Sequence, residues 1–101
     1  VTVGIRVRSF LPTEKRDLAV RMAGSTCQLT SEERGSLKFS YDQCFWSCDI
    51  DDSSKTYASQ ETIYETLGKP MVHHLLGGFN CSLIAYGPTG SGKTYSLFGK
   101  S

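Results

Sequence analysis

Val1, Val3, Ile5 and Val7 alternate with Thr2, Gly4, Arg6 and Arg8. A period of two over the first eight residues predicts a strand with one buried face. Pro12 and the polar run Thr13-Glu14-Lys15-Arg16-Asp17 then predict a loop. Leu18 to Met22, Thr26 to Thr30 and Leu37 to Tyr41 read as three short strands, with Gly24-Ser25 and Ser31-Glu32-Glu33-Arg34-Gly35 as the turns between them. This order predicts a small antiparallel meander beside a main sheet. From Cys44 to Lys55 the periodicity lapses. A lone aromatic pair, Phe45-Trp46, precedes the acidic run Asp49-Ile50-Asp51-Asp52. That run lacks the glycine and distal glutamate of a calcium loop and reads as a solvated loop.

Helical spacing begins at Ser59, a good N-cap, with Glu61 placed to favour the positive end of the helix. Ile63, Leu67, Met71 and Leu75 recur every four residues beside Tyr64, Val72 and Leu76, which makes one apolar stripe. Gly68-Lys69-Pro70 interrupts it. Pro70 has no N–H for the carbonyl of Thr66, so a kink is expected there. His73 and His74 fall on this helix as structural residues, and Gly77-Gly78 ends it. Cys81-Ser82-Leu83-Ile84-Ala85-Tyr86 reads as a short buried strand, and a last helix starts near Gly92 and runs to the end of the chain.

Composition narrows the function classes. Eleven Lys and Arg against ten Asp and Glu leave a net charge of +1, which gives no bulk electrostatic hold on nucleic acid or an anionic membrane. The longest apolar run, ending at Leu83-Ile84-Ala85, is too short to span a bilayer. Four cysteines (Cys27, Cys44, Cys48, Cys81) are too few and too irregular for a secreted disulfide framework. Cys44, Cys48, His73 and His74 make a four-ligand zinc set on paper, but there is no CxxC and adjacent imidazoles rarely share one ion, so free thiols are the better reading. A length of 101 residues suits one small domain. The first strand opens at residue 1 without a lead-in and the last helix meets Ser101, so the expectation is a cut chain.

The chemistry sits in one motif. Gly87-Pro88-Thr89-Gly90-Ser91-Gly92-Lys93-Thr94 matches G-x-x-x-x-G-K-[ST]. Glycines let backbone wrap a phosphate where side chains would collide, and successive N–H groups with the helix N-terminus then face the anion. Lys93 places a cation on the β- and γ-phosphates, and the Thr94 hydroxyl is suited to ligate Mg²⁺. A random chain of this length shows the pattern roughly 0.3% of the time, so chance is a weak rival. Its position after the expected buried strand and before a helix is the setting the motif requires. Pro88 removes one N–H from the loop, at its second position.

The flanks add a family. Ala85-Tyr86-Gly87 before the loop and Tyr95-Ser96-Leu97-Phe98-Gly99 after it resemble the kinesin motor domain. Ile5-Arg6-Val7-Arg8 resembles the first kinesin strand, whose R-x-R-P closes on adenine, and Phe39-Ser40-Tyr41-Asp42 resembles the family's F-x-F/Y-D strand. Ser59-Gln60 and Gly78-Phe79-Asn80 resemble the helix start and the G-Y-N entry to the phosphate-loop strand. Trp46-Ser47 and Tyr57-Ala58-Ser59-Gln60 look most like the kinesin-3 branch. The resemblance covers essentially the whole chain. It implies an α/β P-loop NTPase (kinesin motor) fold, incomplete, with a small antiparallel β-lobe, residues 1–101 being the N-terminal part of a motor domain truncated after the P-loop.

The same resemblance implies ATP hydrolysis, with Mg²⁺, coupled to microtubule binding on the cytoplasmic cytoskeleton. Gly87, Pro88, Thr89, Gly90, Ser91, Gly92, Lys93 and Thr94 would hold the phosphates and Mg²⁺, with Lys93 and Thr94 the catalytic pair. Arg6 would border the adenine; Tyr95 either borders it too or packs in a core. Ser9 stands where the family has proline, and Pro88 where it usually has glutamine. The family's N-x-x-S-S-R and D-x-x-G-x-E segments occur nowhere in these 101 residues, and its microtubule-facing parts lie beyond the P-loop helix. The stretch alone is therefore expected to turn over ATP negligibly and to aggregate or stay loosely packed. Two other readings stay open: a short nucleotide-binding or interaction module without turnover, and an unrelated P-loop enzyme such as a small-molecule kinase.

Overall fold

The computed structural model describes residues 1–14, 18–49 and 57–99. Lys15–Asp17 of the first expected loop, and residues 50–56 with most of the acidic run, lie outside them. The chain forms two compact units, Val1–Tyr57 and Ala58–Ser101.

In the first unit, β1 (Gly4–Arg8) pairs in parallel with β5 (Gln43–Ser47), Ile5 opposite Cys44 and Val7 opposite Trp46. Parallel neighbours need a crossover. Here it contains the expected meander: β2 (Val20–Ala23), β3 (Thr26–Ser31) and β4 (Gly35–Ser40), antiparallel in the order β2-β3-β4. Gly24 (φ 58°) and Gly35 (φ 67°) take the left-handed turns that these tight connections require.

Both sheets feed one core. Met22, Cys27, Trp46 and Cys48 are buried together, with Ile5, Val7, Phe10, Leu18, Val20, Tyr41 and Cys44 packed against them. Registered pairs explain the membership. Met22 faces Cys27 across β2–β3, and Ile5 and Val7 share a face with Cys44 and Trp46.

Two expectations are corrected in this unit. The first strand starts at Gly4, not Val1; Val1 and Val3 are exposed, so the buried face begins with Ile5. β5 occupies the stretch read as a lone aromatic pair. Phe45, Trp46 and Ser47 are all buried, and a strand covered on both faces shows no alternation to detect.

The second unit opens with a helix of three parts: α1 (Gln60–Ile63), a π turn (Tyr64–Gly68) and α2 (Lys69–Leu76). Ser59 caps it as expected, its hydroxyl accepting the Thr62 N–H at 3.2 Å while the Thr62 hydroxyl accepts the Ser59 N–H at 3.2 Å. The expected kink at Pro70 is instead a widened turn just before it, in which the Lys69 N–H reaches back to the carbonyl of Tyr64. Pro70 then sits in the first turn of α2, where a missing N–H costs nothing. Gly68 makes room for the turn, because a Cβ there would lie 2.8 Å from the Tyr64 ring.

The helix ends in a Schellman motif. Phe79 donates its N–H to His74 (3.0 Å), Gly78 donates to Leu75 (3.1 Å), and Gly78 adopts φ 90°. The Phe79 ring meets His74 edge-on at 5.8 Å, the side-chain contact that accompanies such a cap.

The expected buried strand at Cys81–Tyr86 does not form. Residues 81–87 belong to no helix or ladder among the described residues, and Leu83, Ile84 and Tyr86 are largely exposed. An apolar run becomes a strand only when a neighbour supplies ladder partners, and none among the described residues does so. The last helix, α3 (Lys93–Phe98), starts where expected but ends before the chain does: Gly99 turns out at φ 76° and its N–H closes on the carbonyl of Tyr95 at 2.7 Å.

Candidate functional site

Gly87 to Thr94 forms a loop that turns back on itself and leads into α3. The Ser91 N–H donates to the carbonyl of Pro88 at 3.1 Å, closing a four-residue turn. Gly90 is its third residue at φ 84°, the position and sign that a type II turn reserves for glycine. Pro88 thus enters the turn as an acceptor, a role that needs no N–H. Gly92 follows at φ 102° as the residue before α3, and the Ser96 N–H reaches its carbonyl at 2.9 Å to start the helix.

Gly87 sits where neighbours approach closely. A Cβ there would stand 2.7 Å from the Ser91 hydroxyl and 3.9 Å from Cγ of Lys93. The Lys93 side chain crosses the loop, its ammonium donating to the Gly87 carbonyl at 2.7 Å. Gly87, Ser91 and Lys93 therefore pack as one cluster at the mouth of the loop, while the Thr94 side chain stands at the exposed start of α3. The first-turn N–H groups of α3 have no acceptor within the helix by construction. Glycines at three turning points, one lysine across the opening and one hydroxyl beside it are a donor set for a phosphate chain. The Thr94 hydroxyl is the hard oxygen ligand that Mg²⁺ takes alongside phosphate and water.

Tyr95 presents an exposed ring, so it packs in no core of this unit. Its carbonyl is used instead. Gln60 donates its side-chain amide to the carbonyls of Tyr95 (3.1 Å) and Ser96 (3.0 Å), tying α1 to the end of α3. Helical periodicity carries no signal for Gln60, since the bond spans 35 residues.

Arg6 belongs to the first unit, on β1, with its Nε donating to the Ser47 hydroxyl of β5 at 2.9 Å. The structure brings residues 87–95 together in one unit and places Arg6 in the other. After β1 the chain is held by side chains. The Ser9 hydroxyl donates to the Ser47 carbonyl (3.2 Å) and accepts the Asp49 N–H (2.8 Å). Arg8 forks onto both carboxylate oxygens of Glu14 (2.8 and 3.0 Å), and one of these oxygens also accepts the Leu11 N–H at 2.7 Å. Those bonds, first to Arg8 and then to Leu11, hold the Glu14 carboxyl down to about 2. Neither Ser9 nor Glu14 was identifiable from spacing.

Mouse (Mus musculus) kinesin-like protein KIF14 is 41% identical over 103 residues, 98% of this chain and 6% of its own. Rat (Rattus norvegicus) KIF1A is 36% identical over 106 residues, 99% of this chain and 6% of its own. A solved KIF14 dimer, with AMP-PNP in complex with a microtubule, superposes with a TM-score of 0.85 at 40% identity, over 100% of this chain and 28% of that one. A second KIF14 structure, with ADP in complex with a microtubule, gives 0.82 over 94% of this chain and 27% of its own. The chain thus spans about 6% of the length of these curated relatives. The kinesin motor domain family itself matches residues 6–101. With that match running from β1 through α3, this chain belongs to the kinesin motor domain family.

Proposed function

We propose that residues 87–94 bind the phosphates of ATP and ADP and that the chain is the nucleotide-binding, N-terminal part of a microtubule-based motor ATPase. The observation that carries the reading is the Gly87–Ser91–Lys93 cluster, in which a glycine that lets the Ser91 hydroxyl approach closely underlies a lysine laid across the loop. Lys93 leaves the Gly87 carbonyl for the β- and γ-phosphates, exchanging a neutral acceptor for charged ones. Thr94 offers its hydroxyl to Mg²⁺, which when bound neutralises charge on the phosphate oxygens. The family resemblance implies the adenine edge for Arg6. KIF14 structures with ADP and AMP-PNP on microtubules support the nucleotide and the partner. Microtubule contact and turnover are properties of the longer motor that these relatives represent.

Titration of the full-length protein with Mg·ADP, followed by calorimetry, tests the site. Lys93→Ala is expected to weaken binding at least tenfold while leaving the thermal midpoint within a degree or two, since Lys93 contributes no core packing. Unchanged affinity in that variant would remove Lys93 from the site. Binding without any microtubule-stimulated hydrolysis in the full chain would favour the module without turnover.

A further inference from the structure

We infer that Gln60 is a positioning residue for the phosphate loop: its side-chain amide grips the far end of α3 and sets the helix, and with it Lys93 and Thr94, in place. The inference rests on the nucleotide-binding reading above.

The accounting begins with α3. At six residues it is too short to be stable alone, and its last carbonyls have no partners inside the helix. The Gly99 N–H satisfies the carbonyl of Tyr95 from one side. The two N–H bonds of the Gln60 amide go to the carbonyls of Tyr95 and Ser96, at 3.1 and 3.0 Å. A carbonyl has two lone pairs, so Tyr95 accommodates both donors. Two acceptors at one nitrogen also dictate which way the amide points.

Gln60 is itself well anchored. It is the first residue of α1, directly after the N-cap Ser59 and inside the Ser59–Thr62 capping box, so that box fixes the turn its backbone belongs to. The grip therefore connects a fixed point to a helix whose other end is the loop. A six-residue helix is about 9 Å long, under two turns of continuous backbone, so a shift at Ser96 is carried to Lys93. Lys93 reaches across to Gly87, so the loop mouth follows.

Two substitutions in the full chain separate the role from general stability. Gln60→Glu keeps the shape but sets a carboxylate against two carbonyl oxygens, while Gln60→Lys restores a donor, with a charge favoured at a helix C-terminus. Gln60→Glu is expected to raise the Mg·ADP dissociation constant about five- to thirtyfold, and Gln60→Lys to recover most of that loss. In nucleotide-free protein, amide exchange should quicken in residues 93–98 for Gln60→Glu, with β2–β4 unchanged. ADP affinity within twofold of the parent, or unaltered exchange at 93–98, would overturn the proposal. If the lysine variant is as weak as the glutamate variant, donor loss is not the cause and the proposal also falls. A parent chain that fails to bind Mg·ADP while Gln60→Glu still loosens 93–98 would overturn the nucleotide reading and leave Gln60 as the clamp of α3.

Discussion

Glu14 shows how much one exposed side chain can organise when its partners are well placed. Both carboxylate oxygens are taken by Arg8, and the Leu11 N–H adds a third bond, so the ionised form is favoured down to about 2 from an ordinary 4.5. A lowered carboxyl stabilises the fold above its unfolded value, and that contribution is lost as pH falls from about 4.5 through about 2. A carboxyl NMR titration should find the Glu14 midpoint near 2 and return it toward 4.5 in Arg8→Ala; an ordinary midpoint in the parent would contradict the geometry. Ser9 works by a different route. Where relatives' resemblance leads one to expect a proline, a hydroxyl bonds the exit of β5 at two backbone sites and holds the end of β1 through hydrogen bonds that proline cannot make.

At the scale of an element, the helix from Gln60 to Leu76 records three separate instructions. The capping box starts it, Pro70 forces a π turn before α2, and Gly78 stops it. The start is the most local of the three. Ser59→Ala removes one half of the reciprocal pair with Thr62 and is expected to cost about 1 kcal/mol, read as a shift in urea midpoint with an unchanged slope. Ser59→Asp should retain most of that stability. A loss in the aspartate variant equal to that in alanine would mean that the lost stability does not come from the cap acceptor.

For the whole molecule, the decisive fact is where apolar surface lies. The first unit has a core around Trp46, but none of the helices of the second unit contains a buried residue among those described. Ile84, Tyr86, Leu76 and Phe98 are each more than 80% exposed. Surface of this kind associates with something. Purified as 101 residues, the chain is expected to self-associate and to bind a hydrophobic dye, with sedimentation velocity showing species above the 11.1 kDa monomer. A monomer with a single sharp thermal transition would overturn that expectation.

Local chemistry was legible in the residues themselves. Alternation marked β1, turn glycines marked the meander, Ser59 marked a helix start, and the glycine spacing with Lys93 and Thr94 marked the loop proposed here to hold phosphate, because each depends on neighbours a few positions away. What depended on distant partners was not. The pairing of β1 with β5 joins residues about forty apart, and it hid behind a strand buried on both faces. The exposure of Cys81–Tyr86 reversed a reading that hydrophobicity alone favoured, since an apolar run records a tendency to be covered and not the presence of a cover. The Ser9 and Gln60 bonds likewise required the fold, because a hydrogen bond across 35 residues leaves no period along the chain. The sequence by itself therefore determined the turns of the loop and the phosphate chemistry proposed for it; the tertiary structure decided what holds that loop's helix and which apolar faces are covered, through contacts made only after distant segments meet.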